Sequence, residues 1–420
     1  MNNSKKNIST KRDNCRLCLN KDIKLAVAMG ESPISEKYVK KNELNKIIPK
    51  VPIDLYFCQK CNHLQMLDVI NPEYLWADFT FKTSRDPKLI KHFSEYSKKV
   101  LNIHKVNRDD LIFDIGSNDG SLLSCFKDLG YQNVLGIDPA SEIVKQANEN
   151  GIKTIDGYLN IESSKKIFEK YGKPKIITAN NVFAHVDDLR GMLQSIKNLM
   201  DKDTIYVFEV SYLLDVIQKM LIGTIFHEHL SYHSVTSLKL FLNSFNMQLI
   251  RVDRGPEQGG SIVCYAKLEN PENKEDKSVR ELLELEKKEK LDNLQTYIKF
   301  SEKLDNLKNN LRNLVKKIKK EKKIISGFGA ARAGTTFLTF FGIGQDVSKL
   351  YDDNKEKHFK FSPGDQIEVL PTKNIEVDKP DYLIILAWIH AEKIIDNYKD
   401  YIKEGGSFIK FYPSLEIKNK

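Results

Sequence analysis

Residues 111–138 restrict the fold more tightly than any other stretch of this chain. Leu111-Ile-Phe-Asp-Ile115 is a short unbroken apolar run, the pattern of a strand covered on both faces. The turn Gly116-Ser-Asn-Asp-Gly120 follows it, then a helix-like stretch over 121–129 closed by Gly130, then a second run, Val134-Leu-Gly-Ile-Asp138. Strand, glycine turn, helix and strand make a βαβ unit, in which the strands lie parallel. A helix pattern over 141–150 and further apolar runs at 175–179 and 204–209 extend the alternation. The expectation is an α/β fold: a doubly wound, mostly parallel sheet with its ligand at the carboxyl ends of the strands.

At 420 residues the chain needs two or three domains. Before the βαβ unit come two cysteine pairs, Cys15-Arg-Leu-Cys18 and Cys58-Gln-Lys-Cys61. Two such knuckles can surround one tetrahedral ion with four thiolates and leave no open coordination position, so a structural zinc is expected. The 39 residues between the pairs exceed a compact ribbon, so a sheet insertion should lie there. A redox CxxC is the rival, but nothing thioredoxin-like surrounds either pair. Cys125 and Cys264 lie in a helical and a strand-like pattern and read as buried apolar residues.

The chain starts polar and charged, without a signal-peptide stretch, and no segment approaches the roughly 18 apolar residues that span a bilayer. A cytoplasmic protein with no membrane partner is expected. The net charge of +9 invites a zinc-containing nucleic-acid-binding reading, but the lysines are dispersed among 57 acidic residues rather than clustered. Residues 275–320 read as helix, with Leu304, Leu307, Leu311, Leu314 and Ile318 forming an apolar stripe that suits a core-facing bridge. A second alternating block follows, with strands expected at 323–326, 349–351 and 382–386. The expected domains are a zinc-binding domain at 1–78, a cofactor-binding domain at 79–272 and a Rossmann-like domain at 273–420.

Glycines in 116–120 let a ligand approach the backbone at a helix N-terminus. Asp138 ends the next strand, placed to accept two ribose hydroxyls, and Gly136-Ile-Asp138-Pro139 after Gly116-Ser-Asn118-Asp119-Gly120 points to S-adenosylmethionine rather than NAD. Ala179-Asn180-Asn181-Val-Phe-Ala-His185 sits at the same sheet edge. Phe226-His-Glu-His-Leu-Ser-Tyr-His233 gathers three histidines, Glu228 and Tyr232. Histidine is suited to taking a proton near neutral pH; a metal site on His227 and His229, or on His229 and His233, is the rival. Gln258-Gly-Gly260-Ser261 either offers backbone N–H groups to a substrate or is a plain hairpin turn. Gly327-Phe-Gly329-Ala330-Ala-Arg332-Ala-Gly334 could cradle a diphosphate, with Arg332 adding charge.

In this order, the motifs resemble the sugar C-methyltransferase family of deoxysugar biosynthesis over roughly residues 13–415. Tyr351-Asp352-Asp-Asn354, Ser362-Pro-Gly364 and Ala387-Trp388 with His390 complete the match. The resemblance implies a zinc domain, a class I methyltransferase domain and a C-terminal Rossmann-like domain that binds nucleotide sugar. It also implies methyl transfer to the carbon beside the ketone of a nucleotide-linked 4-keto sugar. His229 matches the base, Glu228 a sugar-binding carboxylate and His185 a further catalytic contact; Asp352 and His390 join the substrate residues. Phe226 and Phe81 stand where family members carry tyrosine, so Tyr232 or Tyr212 would have to supply the lost hydroxyl. Sugar O-methylation is an alternative, and a non-catalytic nucleotide-sugar-binding protein is another. Monomer and dimer are both compatible with the sequence.

Overall fold

The computed structural model describes residues 8–46, 48–76 and 82–419; Phe81 lies outside them. The apolar runs of the middle block form a seven-stranded sheet. Its order is Thr154–Asp156, Val134–Asp138, Ile112–Ile115, Ile176–Asn180, Ile205–Ser211, Ser261–Leu268 and Met247–Gly255. The first five strands are parallel, Ser261–Leu268 runs against them, and Met247–Gly255 pairs antiparallel with Ser261–Leu268. Every residue of Ile112–Ile115 and Val134–Asp138 is buried, which is why their sequences do not alternate. The chain order reverses between Ile112–Ile115 and Ile176–Asn180, and that switch point opens a crevice at the strand ends. Helix Ser121–Asp128 starts there at Gly120, whose φ is +79° and where a Cβ would lie 2.6 Å from Ile152 Cγ2. Only glycine fits both demands.

The insertion expected between the cysteine pairs is present. Strand Ile23–Val27 pairs with Leu55–Cys58, and Glu31–Pro33 pairs with Lys50–Pro52. A less expected feature is the outer strand of this four-stranded sheet. It is Ser231–Tyr232, contributed by the middle block and paired with Leu64–Met66. The histidine-rich segment is thus sewn into the cysteine module.

The helical stretch after residue 275 is two helices, Lys277–Lys288 and Leu294–Lys320, separated at Lys290, whose φ is +56°. Leu304, Leu307, Leu311 and Ile318 are buried and Leu314 is half-buried. The longer helix packs on strand Ile23–Val27, with Tyr297 and Phe57 ring centroids 5.0 Å apart, and on helix Arg332–Phe341. It therefore bridges the first and last blocks. The last block is a six-stranded sheet in the order Val369–Pro371, Leu350–Asp352, Ile325–Phe328, Tyr382–Ile385, Ser407–Lys410 and Glu416–Lys418, with only the final strand antiparallel. Its first strand begins two residues later than expected, because Lys323 pairs with Asp381 at the surface, 2.8 Å away, and Ile324 is exposed. No described helix is long and apolar enough to cross a membrane.

Candidate active site

A cavity of about 1070 Å³ opens at the switch point of the seven-stranded sheet. It exceeds the span usual for one small ligand, roughly 300–1,000 Å³, and leaves room for a cofactor and a substrate together. Its floor is the middle block, and Glu36 of the cysteine module and Ala331, Arg332, Lys357 and Trp388 of the last block close it.

At one end lie Gly116, Asn118, Asp138, Pro139, Asn180 and Asn181. Gly116 has a φ of +69°, and a Cβ there would run into Val182. Asp138 accepts hydrogen bonds from the Asn118 and Ala140 amides, each 2.9 Å long. Burial nevertheless raises its pKa, so the carboxylate gains from further donors. Asn180 supplies the clearest test of whether a ligand belongs here. Its side-chain oxygen and nitrogen are both buried and make no well-formed hydrogen bond among the described residues, although the Tyr96 hydroxyl lies nearby, and Ser117 Oγ is likewise unbonded. Each orphan costs about 1–3 kcal/mol unless a bound molecule satisfies it. The residues present therefore fit a polar cofactor.

Asn118 and Asn181 are both left-handed, with φ of 52° and 57°. Asn118 Oδ1 accepts from the Thr83 amide at 3.0 Å, and Asn181 Oδ1 accepts from Gln258 Nε2 at 2.8 Å. Gln258 is itself left-handed (φ 52°) and lines the cavity, while the Gly259 and Gly260 amides are spent on the Pro256 and Glu257 carbonyls. Asp119 and Gly120 stand off the wall. Asp119 instead caps helix Ser121–Asp128, accepting from Ser121 Oγ at 2.6 Å, and holds the Ser84 amide at 2.9 Å. Helix Pro87–Ile103 covers this end, pinned by His92 between Glu209 (2.6 Å) and Glu257 (3.2 Å).

His185, His229 and Phe226 also line the cavity. The two imidazoles have centroids 4.9 Å apart, and the Phe226 ring lies 4.1 Å from that of His229. His229 Nδ1 is 2.7 Å from the Thr224 carbonyl oxygen. A carbonyl only accepts, so Nδ1 carries the proton and Nε2 carries the lone pair. His185 Nδ1 donates in the same way to the Glu228 carbonyl, 2.8 Å away. Burial holds the His229 pKa well below the usual histidine range, with His185 adding to the effect, and burial lowers that of His185 to about 4. Both rings are neutral at physiological pH.

The rest of the histidine cluster turns elsewhere. His227 Nε2 bonds the Val51 carbonyl at 2.9 Å, and His233 Nε2 lies 3.4 Å from that of Phe183. His227 and His229 stand in and just after a turn rather than in a strand, and the chain from His229 to His233 is extended rather than helical, so neither pair has the backbone its proposed metal site would need. Among the described residues no potential metal-ligand group includes these histidines. Glu228 is off the wall, between Ser35 Oγ at 3.4 Å and Arg332 Nε at 3.5 Å. Burial raises its pKa, and Arg332 opposes that rise. Tyr232 spends its hydroxyl on the Thr224 carbonyl (3.3 Å), and the Tyr212 hydroxyl is buried away from the cavity. Neither tyrosine replaces the hydroxyl missing at Phe226.

Several expected substrate residues also stand off the wall. Gly260 abuts Asp215, and Ser261 Oγ bonds Glu209 at 2.7 Å. Gly329, with a φ of +100°, packs on Ala387, and the Ala330 amide donates to Asp352 at 2.6 Å. These four shape the loops that carry Gln258 and Arg332. His390 is exposed at the end of the turn Trp388–His390, and it is Trp388 that reaches the cavity. Sequence reasoning missed Lys357. Its Nζ bonds Glu36 at 2.9 Å and the Ala330 carbonyl at 2.8 Å, beside Arg332 at the first turn of helix Arg332–Phe341. Nothing in a lysine-rich sequence separates Lys357 from its neighbours.

The four cysteines converge. Cys15 and Cys61 sulfurs are 3.5 Å apart, as are those of Cys18 and Cys58, and all four lie within 4.8 Å of one another. A tetrahedral zinc with sulfur at about 2.3 Å requires sulfur–sulfur spacings near 3.8 Å. The neighbouring Cys58 sulfur pushes the Cys15 thiol up to about 12, so a cation is what would let all four become thiolates.

A parallel sheet with this strand order, an antiparallel pair at its edge and a polar cavity at its glycine turn define a class I S-adenosylmethionine-dependent methyltransferase. Three family models match the chain in series: "Putative zinc binding domain" at 15–76, "Methyltransferase domain" at 89–252 and "C-methyltransferase C-terminal domain" at 256–413. Together these matches make the chain an S-adenosylmethionine-dependent methyltransferase with a zinc-binding domain before its catalytic domain and a C-methyltransferase C-terminal domain after it. It is 28% identical over 406 residues to C-methyltransferase NovU of Streptomyces niveus, covering 96% of each chain. Among solved structures, magnesium protoporphyrin IX methyltransferase from Synechocystis PCC 6803 with bound SAH is 16% identical. That match has a TM-score of 0.33 and covers 46% of this chain and 91% of that one. An S-adenosylmethionine-dependent methyltransferase from Clostridium acetobutylicum ATCC 824 is 13% identical with a TM-score of 0.35, covering 47% and 96%.

Proposed function

We propose that the protein methylates a nucleotide-linked 4-keto sugar at the carbon beside the ketone, with His229 as the base. The observation that carries this reading is the anchored, neutral His229 ring on the wall of the cavity that also holds the cofactor turn. A ketone acidifies its neighbouring C–H, and Nε2 of His229 is the lone-pair nitrogen that takes the proton. Charge then develops on the ketone oxygen and needs a donor. Phe226 has none, and neutral His185 already commits its N–H to the Glu228 carbonyl. Arg332, steadied by Glu228, is the cation on the wall at this end, with its guanidinium 5.9 Å from the Phe226 ring centre. The helix N-terminus beside Arg332, with Lys357, suits the diphosphate. When bound, S-adenosylmethionine supplies a methyl group activated by a sulfonium centre. The chain's part is to hold the carbanion face against that donor, a task of positioning.

Asp138 is read as the acceptor for the cofactor ribose. Asp138→Asn should weaken S-adenosylmethionine binding roughly 10- to 100-fold, the worth of hydrogen bonds to a charged acceptor. Isothermal calorimetry checks this, and unaltered affinity would remove Asp138 from the cofactor site. The pH dependence follows from His229. Its lowered pKa keeps it deprotonated below the ordinary 6.5, so kcat/KM should hold as pH falls through that value and decline only well beneath it. An acid limb centred near 6.5 would contradict this.

The substrate class is tested by incubating the enzyme and methyl donor with a panel of nucleotide 4-keto sugars. Mass spectrometry should show gain of one methyl, and NMR should place it on carbon. A second reading, O-methylation, is favoured by Phe226, which gives an enolate oxygen no hydroxyl. An O–CH₃ resonance would establish it, and no methylated sugar from the panel would sink the substrate proposal.

A further inference from the structure

We infer that Arg16, inside the first cysteine pair, is a positioning residue for the proton transfer, its guanidinium setting how the segments bearing His185 and His229 sit against each other. The inference rests on the reading of His229 as base. Arg16 lies between Cys15 and Cys18, and its side chain is wholly buried. A buried arginine is tolerated when its hydrogen bonds hold something in place. Here they join three elements. Nε lies 3.1 Å from Asp187 Oδ1, on the cavity wall two residues beyond His185. Nη1 lies 3.2 Å from the carbonyl oxygen of Leu230, the residue after His229. The same Nη1 reaches Gln65 Oε1 at 3.2 Å and the Met66 carbonyl, both on the strand next to Ser231–Tyr232.

Of these contacts, the pair to Asp187 and Leu230 matters most. The turn after Ile176–Asn180 and the turn after Thr224 are far apart in sequence, and each places one imidazole. They touch directly where the Leu230 amide donates to the Ala184 carbonyl, 2.8 Å away, and His185 Nδ1 bonds the Glu228 carbonyl. Arg16 adds a rigid planar brace across them, with an angle between Nε and Nη1 that a flexible ammonium cannot copy. The brace is anchored at its root by the sulfur cluster. Arg12 reinforces Asp187 Oδ1 at 3.0 Å, and Arg190 Nη1 reaches back to the Leu17 carbonyl at 2.8 Å. Nη2 of Arg16 is buried without a partner among the described residues. A side chain retained only for stability would be a poor choice at that cost.

The test uses the full-length, zinc-loaded enzyme and the variants Arg16→Gln, Arg16→Lys and Asp187→Ala. For each, zinc is measured by atomic absorption, S-adenosylhomocysteine affinity by calorimetry, and kcat separately from KM for the methyl donor. Arg16→Gln should keep its zinc and its S-adenosylhomocysteine affinity while kcat falls roughly 100-fold, the effect of an ångström-scale misplacement. Arg16→Lys should recover part of that loss. A kcat for Arg16→Gln within about threefold of wild type would overturn the assignment. If Arg16→Gln sheds zinc and cofactor affinity together, Asp187→Ala decides, because it removes the acceptor at one end of the brace and leaves the sulfur cluster alone. Its kcat should fall roughly tenfold at unchanged cofactor affinity, and unchanged kcat overturns the inference. Failure of the wild-type enzyme to methylate any keto sugar would instead defeat the functional reading on which this rests.

Discussion

Replacing His229 with asparagine is expected to lower turnover by roughly 10²- to 10⁴-fold, the usual worth of a positioned general base. S-adenosylhomocysteine affinity should not change. His229 is held by the Thr224 carbonyl rather than by any residue of the glycine turn. Asparagine can keep a hydrogen bond to that carbonyl, so the loop retains its anchor and only the basic nitrogen is lost. Steady-state assays with saturating donor, paired with calorimetry, separate the two effects. Turnover near the wild-type rate would exclude His229 as base, and His185 would be the next candidate on the wall.

The second large effect concerns zinc. Cys61→Ser should reduce bound zinc to near zero and lower turnover at least ~100-fold, with S-adenosylhomocysteine affinity preserved. Strand Leu55–Cys58 carries one sulfur ligand at its end, strand Leu64–Met66 pairs with it, and Ser231–Tyr232 pairs with that in turn. His63 Nε2 adds a contact of 3.2 Å to Ser231 Oγ. Such a small sheet has little core of its own and depends on its metal. The seven-stranded sheet has an extensive core and should survive with its cofactor end intact. Atomic absorption, calorimetry and an activity assay on one preparation check all three. Full turnover from zinc-free protein would show that the histidine segment does not need the sulfur cluster.

Much of the fold was legible because buried parallel strands leave unbroken apolar runs. Ile112–Ile115, Val134–Asp138 and Ile176–Asn180 stand where those runs predict, as do the helices between them. Strand ends were less readable where a charge competed: Lys323 is drawn to Asp381 and delays its strand. Two-residue Ser231–Tyr232 carries no periodicity at all, so nothing in the sequence shows that it joins the cysteine module's sheet. The same limit applies to the site. Local motifs marked the glycine turn, Asp138, His185 and His229, because each sits just past a strand or in a dense cluster. They overreached at Asp119, Gly260, Ser261 and His390, where residue type suited a ligand but the side chain or backbone faces a cap, Asp215, Glu209 or solvent. Lys357 and Arg16 gain their roles only from contacts with residues far away in the chain.

Removal of a proton from carbon by His229 is measured without methyl transfer by hydrogen exchange. The wild-type enzyme is incubated with a nucleotide 4-keto sugar in D₂O in the presence of S-adenosylhomocysteine, and the proton beside the ketone is followed by NMR. Wild type should exchange that proton, and His229→Asn should lose exchange in step with its loss of turnover. A wild-type enzyme that methylates the sugar yet leaves that proton in place would contradict proton removal by His229.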